Sequence, residues 1–171
     1  MNKDIKIALT GFMGVGKSSV ARHLSHLLDC GRVDLDHAIE ESQKRSIAKI
    51  IDSDGEAAYR DIETDSLKKV IDASKARILS LGGGTWTLDR NRELLRSGGF
   101  TSVWLEATFE HCWLHIAFSR KDRPLARNKE NAIRLFEERQ RSYCLADWHF
   151  VIRPDLTSYD VAQQMKEEIF S

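Results

Sequence analysis

The sequence predicts an α/β fold: a mostly parallel sheet covered by helices on both faces. Three observations predict it. Short β-branched and apolar runs alternate with longer stretches of helical period, and a glycine-rich loop stands between the first run and the first helix. The chain's 171 residues, 42% hydrophobic and 30% charged, have the balance of one globular domain rather than a disordered chain. Only two prolines occur, Pro124 and Pro154, with no repeat or linker-like stretch, so residues 1–171 read as a single domain.

Taken in order, the strand candidates are Ile5–Thr10, Arg32–Asp34, Ile78–Leu81, Ser102–Leu105 and Phe150–Ile152. Helical stripes lie between them. Val20, Leu24, Leu27 and Leu28 recur at i, i+4, i+7 and i+8, and Val161, Met165 and Ile169 repeat the pattern behind an N-cap at Thr157 or Ser158. Gly98 stands where a helix closing on Leu95-Arg96-Ser97 wants a glycine. Residues 119–129 are polar, basic and aperiodic, which suits a solvated loop or a mobile lid over a ligand. Strands alternating with helices require right-handed crossovers, and ligands of such folds bind at the carboxyl ends of the strands.

Charge and cysteine usage exclude several classes. Lys plus Arg and Asp plus Glu both number 26, so no global pull toward nucleic acid or an anionic membrane is expected. No apolar run approaches the roughly 20 residues that a membrane span needs, and the N-terminus lacks a signal-peptide layout. Cys30, Cys112 and Cys144 lie far apart and suit a reduced, cytoplasmic chain.

The chemistry begins after the first strand, with Gly11-Phe-Met-Gly-Val-Gly-Lys-Ser18, a full match to G-x-x-x-x-G-K-[ST]. Its glycines let several backbone N–H groups converge on one phosphate, at the positive end of a helix starting near Ser18. Lys17 supplies charge to the β- and γ-phosphates, and the Ser18 hydroxyl suits Mg²⁺. No Asn-Lys-x-Asp guanine motif is present, and the chain is too short for motor machinery.

A second substrate site follows from what stands after the later strands. Asp34 and Asp36 flank Leu35; in an extended segment they face the same side, one suited to a metal and one to a hydroxyl nucleophile. An Asp-x-Asp pair is also a common turn or helix cap. In Gly55-Glu-Ala-Ala-Tyr-Arg-Asp-Ile-Glu63, Arg60 and Glu63 share a helix face, so the glutamate fixes the guanidinium or merely forms an exposed ion pair. Gly82-Gly83-Gly84 suggests that something approaches the main chain closely, the alternative being a plain flexible turn. Between Arg120 and Arg141 basic residues outnumber acids by eight to four, and Arg123 and Arg139 are the two expected to act on phosphates and an anionic acceptor.

Together these elements resemble shikimate kinase, from the first strand to the last helix. The triple glycine and the Gly-Glu-x-x-aromatic-Arg-x-x-Glu run are the most specific of them. The resemblance implies a P-loop NTPase fold with a five-stranded parallel sheet, nucleoside-monophosphate-kinase-like. A mobile lid near residues 119–129 and a substrate-binding helical region near residues 35–63 are implied with it. It further implies ATP-dependent phosphorylation of shikimate on its 3-hydroxyl, a step toward chorismate and the aromatic amino acids.

Carried over residue by residue, Gly14, Val15, Gly16, Lys17, Ser18 and Ser19 would bind the ATP phosphates. Ser18 and Asp34 would hold Mg²⁺, with Ser80 a neighbouring candidate. Asp36 would orient the attacked hydroxyl, Arg60 and Arg139 would grip the shikimate carboxylate, Gly83 and Gly84 would line the substrate, and Arg123 would close on the phosphates. Shikimate and ATP are the expected partners, and a monomer is expected. Departures from the family pattern are a slightly short lid with Ala126 in Arg-Pro-Leu-Ala, Tyr59 in place of phenylalanine, His115 about where many members have an adenine-stacking arginine, a divergent loop at Pro154-Asp155, and the bulky Trp86, which would alter the pocket edge. The remaining alternatives are a kinase for another polyol acid such as gluconate, a catalytically silent nucleotide-binding relative, and a metal at His111, Cys112 and His115.

Overall fold

A computed structural model describes residues 4–171. β1 (Lys6–Thr10) runs through the middle of the sheet, with Ile7, Ala8 and Leu9 fully shielded. Helix α1 (Lys17–Leu28) follows the glycine-rich loop, then β2 (Arg32–Asp34), α2 (Leu35–Gln43), α3 (Ile47–Asp54) and α4 (Glu56–Asp72). β3 (Ile78–Ser80), α5 (Asp89–Ser97), β4 (Phe100–Glu106) and α6 (Phe109–Ala117) lead to the segment predicted as a loop, which contains one short 3₁₀ turn at Pro124–Ala126. α7 (Lys129–Tyr143), β5 (Trp148–Val151) and α8 (Ser158–Ile169) complete the chain. The order of the strands is β2-β3-β1-β4-β5, every pair parallel.

This is the predicted five-stranded sheet, with its physical cause visible in burial. Central parallel strands are covered on both faces and so read as continuous apolar runs; Ile78, Leu79, Val103 and Leu105 are fully buried like the middle of β1. β5 is an edge strand, and its exposed Trp148 and His149 hide it from an apolar-run reading that placed the strand at Phe150–Ile152. Ile152 N–H still donates to Glu106 O at 2.7 Å, so the ladder continues past the last strand residue.

Each predicted helical stripe is the buried one: Val20, Leu24 and Leu28 of α1 lie inward, as do Val161, Met165 and Ile169 of α8, which packs on α1. Thr157 is the N-cap of α8, in a capping box with Asp160. α5 ends at Ser97 as expected, but the left-handed residue is Gly99 (φ 77), not Gly98 (φ −78). Gly98 is needed for closeness instead, since a β-carbon there would stand 2.7 Å from Ile71 Cγ2. Among the described residues no helix is long and apolar enough to cross a membrane, and the three cysteines are free thiols.

The register brings the functional loops together. Leu9 pairs with Ser80 and Ser80 with Asp34, so the segments that leave β1, β3 and β2 emerge side by side at one end of the sheet. Leu81 N–H donates to Leu9 O at 3.0 Å and extends that pairing to the edge of the triple glycine.

Candidate active site

The loop after β1 turns through left-handed glycines, Gly14 at φ 82 and Gly16 at φ 104. Gly16 is also the N-cap of α1 and offers no side-chain cap, so the first N–H groups of that helix stay available to an anion. The helix begins at Lys17, one residue before the predicted start. Lys17 is buried, and its Nζ donates to Gly11 O at 2.7 Å and Phe12 O at 3.1 Å. Burial pulls its pKa down to about 8 against the opposing charge of Asp36. Val15 packs beneath the loop, while Ser19 lines its cavity.

Ser18 Oγ donates to Asp34 Oδ2 at 2.5 Å, and the other Asp34 oxygen accepts from His37 N–H at 3.2 Å. Asp34 is therefore the N-cap of α2, and Asp36 lies in that helix's first turn rather than further along an extended segment. The expected shared face is corrected accordingly: a strand-to-helix junction, not strand alternation, brings both carboxylates to one cavity. Asp36 Oδ1 is buried and has no hydrogen-bond partner. Ser80 is buried beside Asp34 in the sheet register.

α4 supplies the first arginine. Arg60 Nη1 donates to Glu63 Oε1 at 2.8 Å, and Glu63 is fully buried. Its other oxygen accepts from Tyr59 Oη at 3.1 Å and Thr85 Oγ1 at 2.8 Å. The pair is thus the core of a buried polar network rather than an exposed helix pair, and the phenol that replaces phenylalanine at Tyr59 supplies one of its bonds. α7 supplies the second arginine, Arg139, which is 6% exposed with Nη1 buried and unpartnered.

The triple glycine lies between these groups. A β-carbon at Gly82 would stand 2.7 Å from Asp36 Oδ1, one at Gly83 3.0 Å from Arg139 Nη1, and one at Gly84 would fall on the Arg60 guanidinium. The sequence suggested that something approaches this backbone; the something is the site's own charged side chains. Tyr143, unremarked in the sequence, donates from its hydroxyl to Gly83 O at 2.5 Å and sits one helical turn beyond Arg139. Trp86 lies in the core rather than at the pocket edge, 2% exposed, with Nε1 donating to Ser142 O.

Two cavities of about 290 and 280 Å³ meet here. The first contains Arg60, Arg139 and the glycines; the second contains the phosphate loop, Asp34 and His115. They share Met13, Asp36, Gly82, Gly83, Lys121 and Arg123. Arg123 is half-buried, and burial lowers its pKa against the opposing charge of Asp36. His115 Nδ1 lies 2.8 Å from His111 O, and the two rings flank a third cavity with Thr157 and Ser158. Among the described residues no cluster of three or more His, Cys, Asp or Glu is placed to hold a metal ion. Ser18 and Asp34 form an all-oxygen donor set, the kind a hard divalent cation accepts.

A family model described as shikimate kinase matches residues 13–170. The shikimate kinase of Streptococcus suis (strain 05ZYH33) is 40% identical over 143 residues, covering 80% of this chain and 83% of that protein. That of Prochlorococcus marinus is 32% identical over 168 residues, covering 96% and 83%. Among solved structures, shikimate kinase from Acinetobacter baumannii in complex with shikimate superposes with TM-score 0.88 at 29% identity, covering 98% and 94% of the two chains. The enzyme from Bacteroides thetaiotaomicron, at 24% identity and TM-score 0.86, has the same fold.

Proposed function

The chain belongs to the shikimate kinase family, and from that premise we propose that its site transfers the γ-phosphoryl group of ATP to the 3-hydroxyl of shikimate. The products are ADP and shikimate 3-phosphate, a step toward chorismate. The observation that carries this reading is a pair of buried polar atoms without partners, Asp36 Oδ1 and Arg139 Nη1, on residues that line the acceptor cavity. Burying an unpaired polar group is costly, so such atoms mark where a ligand completes the bonding. Asp36 Oδ1 suits a hydroxyl, and Arg139 with Arg60 suits a carboxylate.

In this reading Lys17 and the amides of Gly14 to Ser19 hold the ATP phosphates, and Arg123 folds onto them from the lid. Ser18 and Asp34 would hold Mg²⁺, which when bound neutralises phosphate oxygens. Asp36 orients the hydroxyl in line with the γ-phosphorus; a loose transition state asks little deprotonation of the nucleophile until late. Closure of residues 119–129 over the two cavities would exclude water, strengthening every charge contact within. Three free thiols support a cytoplasmic enzyme.

The test is ADP release with Mg-ATP, offering shikimate, quinate and gluconate separately. Turnover with shikimate alone is expected, reduced about a hundredfold or more in Asp36→Asn. Turnover with gluconate instead, or ATP binding without any turnover, would refute the assignment.

A further inference from the structure

The site contains a cation that the roles above leave unused. Lys121 Nζ lies 3.4 Å from Asp36 Oδ2, and the residue lines both the acceptor and the phosphate cavity. The pair is partly solvent-exposed, so it adds little to stability, and its position at the junction of two substrate cavities calls for a different reason. The contact is also more than the stray reach of a long side chain. Its neighbour Asp122 accepts from Arg127 Nε at 3.1 Å and Nη2 at 2.8 Å, and the same Nη2 donates to Asp52 Oδ2 of α3 at 2.7 Å. The lid is therefore clasped to α3 through Arg127, which also holds Asp122, the residue after Lys121.

We infer that Lys121 is a further catalytic residue, its ammonium bridging the Asp36 carboxylate and the phosphoryl group in transfer, with Arg127 as the positioning residue that fastens the lid to α3. The inference rests on the reading of Asp36 as the group that orients the acceptor hydroxyl. An ammonium has three N–H donors and no acceptor, so it serves a carboxylate oxygen and a phosphoryl oxygen at once. Before transfer it holds Asp36 Oδ2, leaving the partnerless Oδ1 to accept from the hydroxyl. As the acceptor oxygen bonds to the γ-phosphorus and the bond to ADP breaks, the hydroxyl proton passes to Asp36, and the ammonium remains for the phosphoryl oxygens.

Asp36 also faces Lys17 from the phosphate loop, Arg123 from the lid and the Tyr59 phenol from α4. Lys121 is thus one of several groups acting on it, and its share must be measured. Lys121→Met keeps the length of the side chain and removes the charge; Lys121→Arg restores a cation. The readouts are kcat and the KM for each substrate, with rescue by the arginine as the control. At neutral pH kcat should fall about tenfold or more with the KM for ATP little changed, and Lys121→Arg should recover most of it. Arg127→Ala should give a smaller fall in kcat. An unchanged kcat in Lys121→Met, or a loss confined to KM, overturns the inference. Absence of wild-type turnover with shikimate would instead bring down the functional reading on which it rests.

Discussion

Gly84 is the glycine with the least room for a side chain. A side chain there would fall on the Arg60 guanidinium, whose flexible end gives way while the fold stands. Gly84→Ala is therefore expected to raise the KM for shikimate about tenfold, equivalent to about 1.4 kcal/mol, with the KM for ATP within about twofold. Steady-state kinetics check this, and equal losses for both substrates would contradict it. Lys17 gives a second prediction at this scale. Its pKa in the ligand-free site is about 8 because burial disfavours the charge, whereas the unfolded chain keeps the ordinary 10.5. Between those values the unfolded state binds more protons, so the ligand-free protein gains stability as pH rises through that window. ATP needs the lysine charged, so its affinity should decline as pH rises above about 8, with proton uptake on binding near that pH. Calorimetry in buffers of different ionisation enthalpy reads both; an affinity flat across the range would refute the assignment.

At the scale of elements, the site depends on where helices begin. Asp34 caps α2 and so sets Asp36 in its first turn. Asn128 caps α7 through Asn131 N–H at 2.8 Å, ending the lid and starting the helix that carries Arg139 and Tyr143. Asn128→Ala is expected to cost about 1 kcal/mol, lowering Tm by about 2–4 °C for a chain of this size. Amide exchange should quicken in the first turn of α7 and not around Arg139; an unchanged Tm would remove the cap from the account. The Arg60–Glu63 spacing was readable in the sequence, because i and i+3 share a helix face. Its burial was not, because Thr85 and Tyr59 complete the network from another loop and another turn.

For the molecule as a whole, the two cavities share the lid residues Lys121 and Arg123, so filling both should order the lid more than filling either. Hydrogen exchange with ATP and shikimate together is expected to protect residues 119–129 beyond the effect of each ligand alone. Equal exchange in the free and doubly liganded states would show that the lid does not close. The strand register explains why one small sheet can present two adjoining cavities. Leu9, Ser80 and Asp34 lie abreast, so the phosphate loop, the triple glycine and the head of α2 leave the same edge.

The sequence by itself determined the alternating α/β fold, the phosphate loop and the charged residues that the structure gathers around two adjoining cavities. Each is written in contiguous residues: a period, a glycine spacing, a motif after a strand. Only the tertiary structure decided that Asp36 is reached through a helix cap, that Trp86 belongs to the core, and that Tyr143 holds Gly83. It also placed Lys121 against Asp36 across 85 positions of chain. The physical reason is the same in each case. Partners so far apart in sequence meet only when the packed sheet fixes which loops leave its edge together, and no local pattern records that meeting.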